Sequence, residues 1–157
     1  MSRSVPQAAL DLVYRFEATS NGNFAAWRYE DPPGSGEFSI GWGHHILPHE
    51  QWKEPITQVE ADLQAADDLD NAATEVDRLV VPAALADLTD NQYAALCDFV
   101  FNEGAGHLAS STLLKLINQH AFGRAADEFL RWDYVAGEPS KGLLRRREAE
   151  RALWVST

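Results

Sequence analysis

Two carboxylates and a hydroxyl, Glu17, Asp31 and Ser39, stand near one another in the first quarter of the chain. Glu17 closes an apolar-periodic stretch, so a helix there places its carboxylate at the negative end of the helix dipole, poor for stability and good for a general acid. Asp31 precedes Pro32-Pro33-Gly34-Ser35-Gly36, a polar turn open to water. Two carboxyl groups in unlike surroundings are what glycosidic cleavage uses. One protonates the leaving oxygen while the other activates water or attacks. By themselves, a glutamate at a helix end and an aspartate before proline are also ordinary surface residues.

His44, His45 and His49 invite a metal reading. The pattern His-Glu-x-x-His is absent and the chain has one cysteine, so neither a metal nor another cofactor is expected. That cysteine, Cys97, lies in the apolar run Ala94–Val100 and reads as a buried small hydrophobe. Gly142-Leu143-Leu144-Arg145-Arg146-Arg147-Glu148 reads by itself as a solvated final helix with intrahelical ion pairs.

The whole chain has 157 residues and a net charge of −11, from 13 Lys/Arg against 24 Asp/Glu. That balance speaks against a nucleic-acid binder working by phosphate neutralisation. Residues 54–90 hold ten acids and one base, whereas residues 141–151 hold five bases and two acids. For an anionic substrate, the basic C-terminal segment is expected to face it and residues 54–90 to face away. No basic start followed by an apolar segment opens the chain, and no run of about 18 apolar residues occurs. The expectation is a soluble protein that begins in the cytoplasm, with no stable membrane association.

These residues need elements to hold them. Val5, Ala9, Leu12 and Phe16 share one helix face, and that helix is predicted to end at Glu17–Ala18, before the breaker cluster Thr19–Asn23. Phe24 to Ile46 is rich in aromatic and β-branched residues broken by Pro and Gly, and reads as a small antiparallel sheet. Thr57-x-x-Glu60 is a capping box, and Val59, Leu63, Ala66, Leu69, Ala73 and Val76 predict one apolar face of a long helix to about Asp77. A second box, Thr89-x-x-Gln92, with Leu88 and Tyr93 as a staple, opens a helix through about Phe101. Further helices are predicted at about 110–119, 121–132 and 141–154, with Gly137–Ser140 a break. The fold class is α+β, mostly helical, with one small sheet.

The order of the motifs adds to this reading. Phe16-Glu17, Tyr29-x-Asp31-Pro32, Ser39-Ile40-Gly41-Trp42-Gly43-His44, Ile56-Thr57 with Glu60-Ala61, Asn91-Gln92 with Ala95-Leu96, Phe101-Asn102-x-Gly104, Ser110–Leu113 and Gly142-Leu143-x-x-Arg146-Arg147 follow one another. In that order, over about residues 8–153, they resemble the phage-type lysozymes of glycoside hydrolase family 24.

The resemblance implies a single lysozyme-like catalytic domain over residues 1–157 with two lobes. Residues 18–56 would form a β-containing lobe, 57–77 the connecting helix, and 78–157 with the N-terminal helix the helical lobe. It implies a monomeric muramidase that cuts the β-1,4 bond between N-acetylmuramic acid and N-acetylglucosamine of bacterial peptidoglycan in a cleft between lobes. Glu17 becomes the general acid and Asp31 the group on the opposite face, with Ser39 where the family usually has Thr. His44 pairs structurally with an acid on the connecting helix, for which Asp68 is the candidate. His45, Phe101, Asn102 and Thr112 match sugar-contacting positions.

Two features depart from the family. The 13 residues between Glu17 and Asp31 exceed the usual spacing, which makes Glu30 the rival base. Serine keeps the hydroxyl and loses the methyl that fixes its rotamer. The contrasting readings are a non-catalytic peptidoglycan-binding module, a lytic transglycosylase, and an antibacterial effector with the same chemistry. A second acid with a water-placing hydroxyl favours inverting hydrolysis over transglycosylation. With no signal peptide, an endolysin would wait in the host cytoplasm for a holin and then act on the periplasmic wall.

Overall fold

The computed structural model describes residues 3–156. The helices are α1 (Gln7–Glu17), α2 (Gln58–Leu79), α3 (Pro82–Asp87), α4 (Asp90–Glu103), α5 (Ala105–Ala109), α6 (Thr112–Asn118), α7 (Phe122–Glu128) and α8 (Lys141–Val155). The strands are β1 (Ala25–Glu30), β2 (Phe38–Gly41), β3 (His44–His45), β4 (Tyr134–Val135) and β5 (Glu138–Pro139). The chain divides into a sheet unit, Val13–Asp68, and a helical unit, Met1–Leu12 with Leu69–Thr157.

In the sheet unit, β1, β2 and β3 form an antiparallel sheet in that order. Its core gathers Val13, Ala25, Ile40, Trp42, Ile56, Ala61 and Ala65. Trp42 lies 4.7 Å from the Tyr14 ring and 6.1 Å from Phe24, and its indole N–H donates to Asp62 at 2.8 Å. That bond satisfies the one polar atom of a buried indole. Helix α2 opens on the reciprocal box, with the Glu60 amide donating to Thr57 Oγ1 at 3.2 Å and the Thr57 amide to Glu60 at 2.7 Å.

The apolar face of α2 differs from the one the sequence predicts. Val59 and Leu63 are 65% and 63% exposed, and the buried stripe is Ala61, Ala65, Leu69, Ala72, Ala73 and Val76. The reason is close approach to the sheet: a β-carbon on Gly41 would stand 3.6 Å from the Ala61 backbone. Such a contact admits alanine and excludes leucine.

In the helical unit, α4 is buried from Tyr93 through Val100. Thr89 accepts from the Gln92 amide at 3.1 Å in the second capping box. Burial pushes the Cys97 thiol up to about 12, so it is an inert packing group. Ser111 caps α6, accepting from the Leu114 amide at 3.0 Å. Helices α3 and α5 were not expected, being too short for periodicity to reveal. The break expected at Gly137–Ser140 is part of a β4–β5 hairpin, turning on Ala136 (φ 50°) and Gly137 (φ 82°). Two successive positive φ values match the twist of a tight hairpin.

The expected outward-facing basic segment is also corrected. Arg146 and Arg147 are buried on α8. Arg146 grips Asp98 of α4 with two hydrogen bonds, at 3.0 and 2.7 Å. Arg147 donates to Asn102 and lies 3.5 Å from Glu103 and 3.2 Å from Glu150. The packing of α8 on α4 turns these charges inward, leaving Lys141 and Arg145 exposed. Among the described residues no helix is long and apolar enough to cross a membrane.

Candidate active site

Glu17 is the last residue of α1, and its carboxyl group rests against Gly43 in the turn between β2 and β3. A β-carbon on Gly43 would come within 2.8 Å of Glu17 Cδ, and the backbone there has φ 75°. Space and conformation therefore both require glycine.

Asp31 follows β1, and its amide donates to the Glu37 carbonyl at 2.9 Å, closing a loop over residues 31–37. Glu30, the rival base, accepts from the Gly34 and Gly36 amides at 2.8 and 2.7 Å. Those backbone bonds hold its carboxyl below the usual carboxylate range. Its oxygens are occupied in shaping the loop.

Tyr29 links the remaining parts. It stands directly opposite Ser39 across β1 and β2. Burial pushes the phenol up, and the negative charges of Glu17 and Asp31 push it further. Both carboxylates are thus near enough to act on one phenol, whose neighbour Ser39 is only 5% exposed. The arrangement can donate a proton, accept a proton and hold a water between hydroxyls.

His44 lies between two acids, with Nδ1 2.8 Å from Asp68 and Nε2 2.9 Å from Glu50. Burial pulls its pKa down, but the hydrogen bonds and charges of the two carboxylates outweigh this, so the net shift is upward. With both ring nitrogens engaged, His44 has no lone pair for a metal. The Trp52 ring packs 5.6 Å away. The clamp ties the β3 strand to α2 two residues after Trp42. His45 pairs with Ser39 in the sheet, is exposed, and lines a hollow of about 380 Å³ with Arg28, Phe38 and Leu47.

The sheet unit therefore holds six of the sequence-derived residues: Glu17, Asp31, Ser39, His44, His45 and Asp68. The helical unit holds the other three. Phe101 and Asn102 sit in the last turn of α4, Phe101 with its ring 5.9 Å from the Arg146 guanidinium, and Asn102 accepting from Arg147. Thr112 is exposed at the start of α6. Sequence reasoning missed Tyr29, Gly43 and Glu50 as parts of the site. The spacing Tyr29-x-Asp31 was a usable signal, since alternate residues of a strand share a face. Glu50 sits in a loop without periodicity and gave none.

Comparison with known proteins places these residues in context. The model of the Phage lysozyme family matches residues 20–150, which takes in Asp31 and Ser39 and begins just after Glu17. An endolysin of Bacillus phage B103 is 33% identical over 156 residues, covering 98% of this chain and 54% of that protein. An endolysin of Acyrthosiphon pisum secondary endosymbiont phage 1 is 36% identical over 127 residues, covering 78% and 82%. A solved P22 lysozyme superposes with TM-score 0.77 at 30% identity, covering 98% of this chain and 99% of that one. The chain spans about half the length of the Bacillus phage endolysins it matches.

Proposed function

The chain belongs to the phage lysozyme family, and from that premise we propose that it hydrolyses peptidoglycan at the β-1,4 bond between N-acetylmuramic acid and N-acetylglucosamine. The observation that carries this reading is the seat of the Glu17 carboxyl group against Gly43 in the β2–β3 turn, within the same sheet unit as Asp31 and Ser39. Glu17 is the general acid that protonates the glycosidic oxygen. Asp31 is the general base that takes a proton from a water oriented by Ser39, and this water attacks the opposite face of the sugar.

Inversion is the outcome this set of groups serves. A retaining enzyme uses its second carboxylate as the nucleophile, which leaves a water-placing hydroxyl without a task in the first step. Glu30 is set aside as base because the loop amides of Gly34 and Gly36 engage its carboxylate. Gly43 admits the acid, and the His44–Asp68–Glu50 clamp holds the turn that carries Gly43. His45, Phe101, Asn102 and Thr112 contact the glycan, while His44 and Asp68 are structural.

The protein acts as a monomeric phage endolysin in one catalytic domain, held in the host cytoplasm until a holin opens the inner membrane and then acting on the periplasmic wall. Mass spectrometry of digested peptidoglycan tests the chemistry. Products ending in reducing N-acetylmuramic acid, formed first as the inverted anomer by NMR, are expected. Anhydro-muramic ends would identify a transglycosylase, and an intact wall would leave a binding module.

A further inference from the structure

The hollow beside His45 has no task in the proposed hydrolysis, and it lies wholly within the sheet unit. Its volume of about 380 Å³ is that of a small-ligand site. Arg28, Glu37, Phe38, His45 and Leu47 share its wall. Glu54 accepts from the Arg28 amide at 2.9 Å and also from the Arg28 Nε–H, which fixes the guanidinium and leaves its Nη donors outside the pair. Glu50, engaged by His44, accepts from the Leu47 amide at 3.0 Å and holds the far side of the wall. Among the described residues, nothing is hydrogen-bonded to the Glu37 carboxylate. The hollow thus presents a fixed cation and a free anion beside the exposed apolar side chains of Phe38 and Leu47.

A neutral sugar would leave both charges unanswered, and a polyanion would be repelled by Glu37. A short zwitterionic peptide with aliphatic side chains complements all of these groups. The substrate proposed above carries such a peptide on the lactyl group of N-acetylmuramic acid, with free carboxylates, alanine methyls and, where the wall contains diaminopimelate, a free amine. The hollow also begins close to the chemistry, since Phe38 adjoins Ser39 in β2 and His45 is the Ser39 partner in β3. Three extended peptide residues span about 10 Å, enough for that step. We propose that this hollow is a subsite for the stem peptide of peptidoglycan, with Arg28 binding a carboxylate, Glu37 the ammonium group, and Phe38 and Leu47 the aliphatic parts between them. The inference rests on the proposed muramidase reading. A contact so placed binds ground state and transition state alike, so it lowers KM and leaves kcat alone.

The test compares glycan strands that keep their diaminopimelate-containing stem peptides with the same strands stripped of them by an amidase, for the parent, Arg28→Gln and Glu37→Gln. On the stem-bearing strands each variant is expected to raise KM about threefold to tenfold, as suits one lost hydrogen bond between charged groups at an open site, with kcat within about twofold. On the stripped strands both variants are expected to match the parent. Glu37→Gln removes no hydrogen bond within the fold, so it reads the subsite even where Arg28→Gln loosens the wall through Glu54. The free stem tetrapeptide, titrated into the parent, is expected to shift the Arg28, Glu37 and Leu47 amide signals in NMR spectra. A Glu37→Gln variant with the parent's KM on stem-bearing strands, an equal rise on both substrates, or no shift of those amides at millimolar tetrapeptide overturns the inference and leaves the hydrolysis standing. A parent that cleaves neither kind of strand overturns the proposed function and the inference with it.

Discussion

The carboxyl carbon of Glu17 lies 2.8 Å from where a β-carbon on Gly43 would stand, so the proposed acid packs directly against the β2–β3 turn. Gly43→Ala therefore carries two penalties. The positive φ costs roughly 1–2 kcal/mol in any residue with a side chain, and the methyl displaces the Glu17 carboxyl. Gly36 isolates the first penalty, because it has φ 77° but nothing within 4 Å of an added β-carbon. Both alanine variants are expected to melt lower than the parent. Only Gly43→Ala is expected to lose most of its lytic rate per folded molecule, and equal specific activities for the two would show that Glu17 tolerates displacement.

The carboxylates themselves give a sharper contrast. Glu17→Gln keeps the shape without the transferable proton, and its rate on wall substrate is expected to fall about 10²–10⁴-fold. Asp31→Asn is expected to fall on a similar scale. Glu30→Gln keeps most of its rate but loses thermal stability, since the amide surrenders the charge that the Gly34 and Gly36 amides bind. Because the Glu30 carboxyl is held below the usual range, its contribution is present above about 4.5 and is lost as pH falls through its lowered value. Melting curves from pH 6 down to 3 should show the parent and Glu30→Gln converging. A large rate loss in Glu30→Gln with Asp31→Asn active would shift the base by one residue.

The legible features were those whose chemistry is local. The capping boxes at Thr57 and Thr89 declare helix starts within four residues, and Glu17, Asp31 and Ser39 stand out by type and order. The α2 face misled because Val59 and Leu63 are stronger hydrophobes than Ala61 and Ala65, while the packing needs small side chains at the sheet. The Tyr29–Ser39 pair depends on strand register, and between the pairs Ala25–Gly41 and Tyr29–Ser39 β1 spends four residues against two in β2. No alternation count along the sequence anticipates that irregularity. The burial of Arg146 and Arg147 was hidden for a related reason, since their partners Asp98, Asn102 and Glu103 lie more than 40 residues away.

The His44 clamp is expected to shape stability at both ends of the pH range. A raised histidine pKa means its contribution is fully present below the ordinary value of 6.5 and is lost as pH rises through the higher folded value. Glu50 is buried enough to be pushed up, but the His44 and Leu47 hydrogen bonds win and lower it. Its contribution is present above 4.5 and lost as pH falls through the lower folded value. The clamp is thus strongest between about 4.5 and 6.5. His44→Gln should cost roughly 1.5–3 kcal/mol there, the worth of a hydrogen bond to a charged group, or roughly 3–12 °C in melting temperature for a chain of this length. Above pH 8 the gap between parent and variant should shrink, and a pH-independent gap would show that His44 contributes by packing alone.

The buried cluster between α4 and α8 separates a charge the fold needs from one it does not. Asp98 and Glu150 are both fully buried, but Asp98 receives two hydrogen bonds from Arg146, whereas the Glu150 oxygens accept none. Arg147 approaches Glu150 within ion-pair distance without hydrogen-bond alignment, and burial raises the Glu150 carboxyl far above its ordinary range despite that neighbour. Burial thus favours the uncharged form of Glu150 in the fold. A raised acid favours the native state at low pH, and that advantage is lost as pH rises past the unfolded value, where the unfolded chain ionises and the native one does not. Glu150→Gln, neutral at every pH, should leave stability at pH 7 unchanged or improved and remove this dependence. Asp98→Asn instead removes the buried carboxylate that receives two hydrogen bonds from Arg146, and should cost about 3–5 kcal/mol. Urea midpoints at pH 5 and 8 read both effects, and a Glu150→Gln variant that loses as much at pH 7 as Asp98→Asn would mean that Glu150 is ionised and serves Arg147 as its counter-charge.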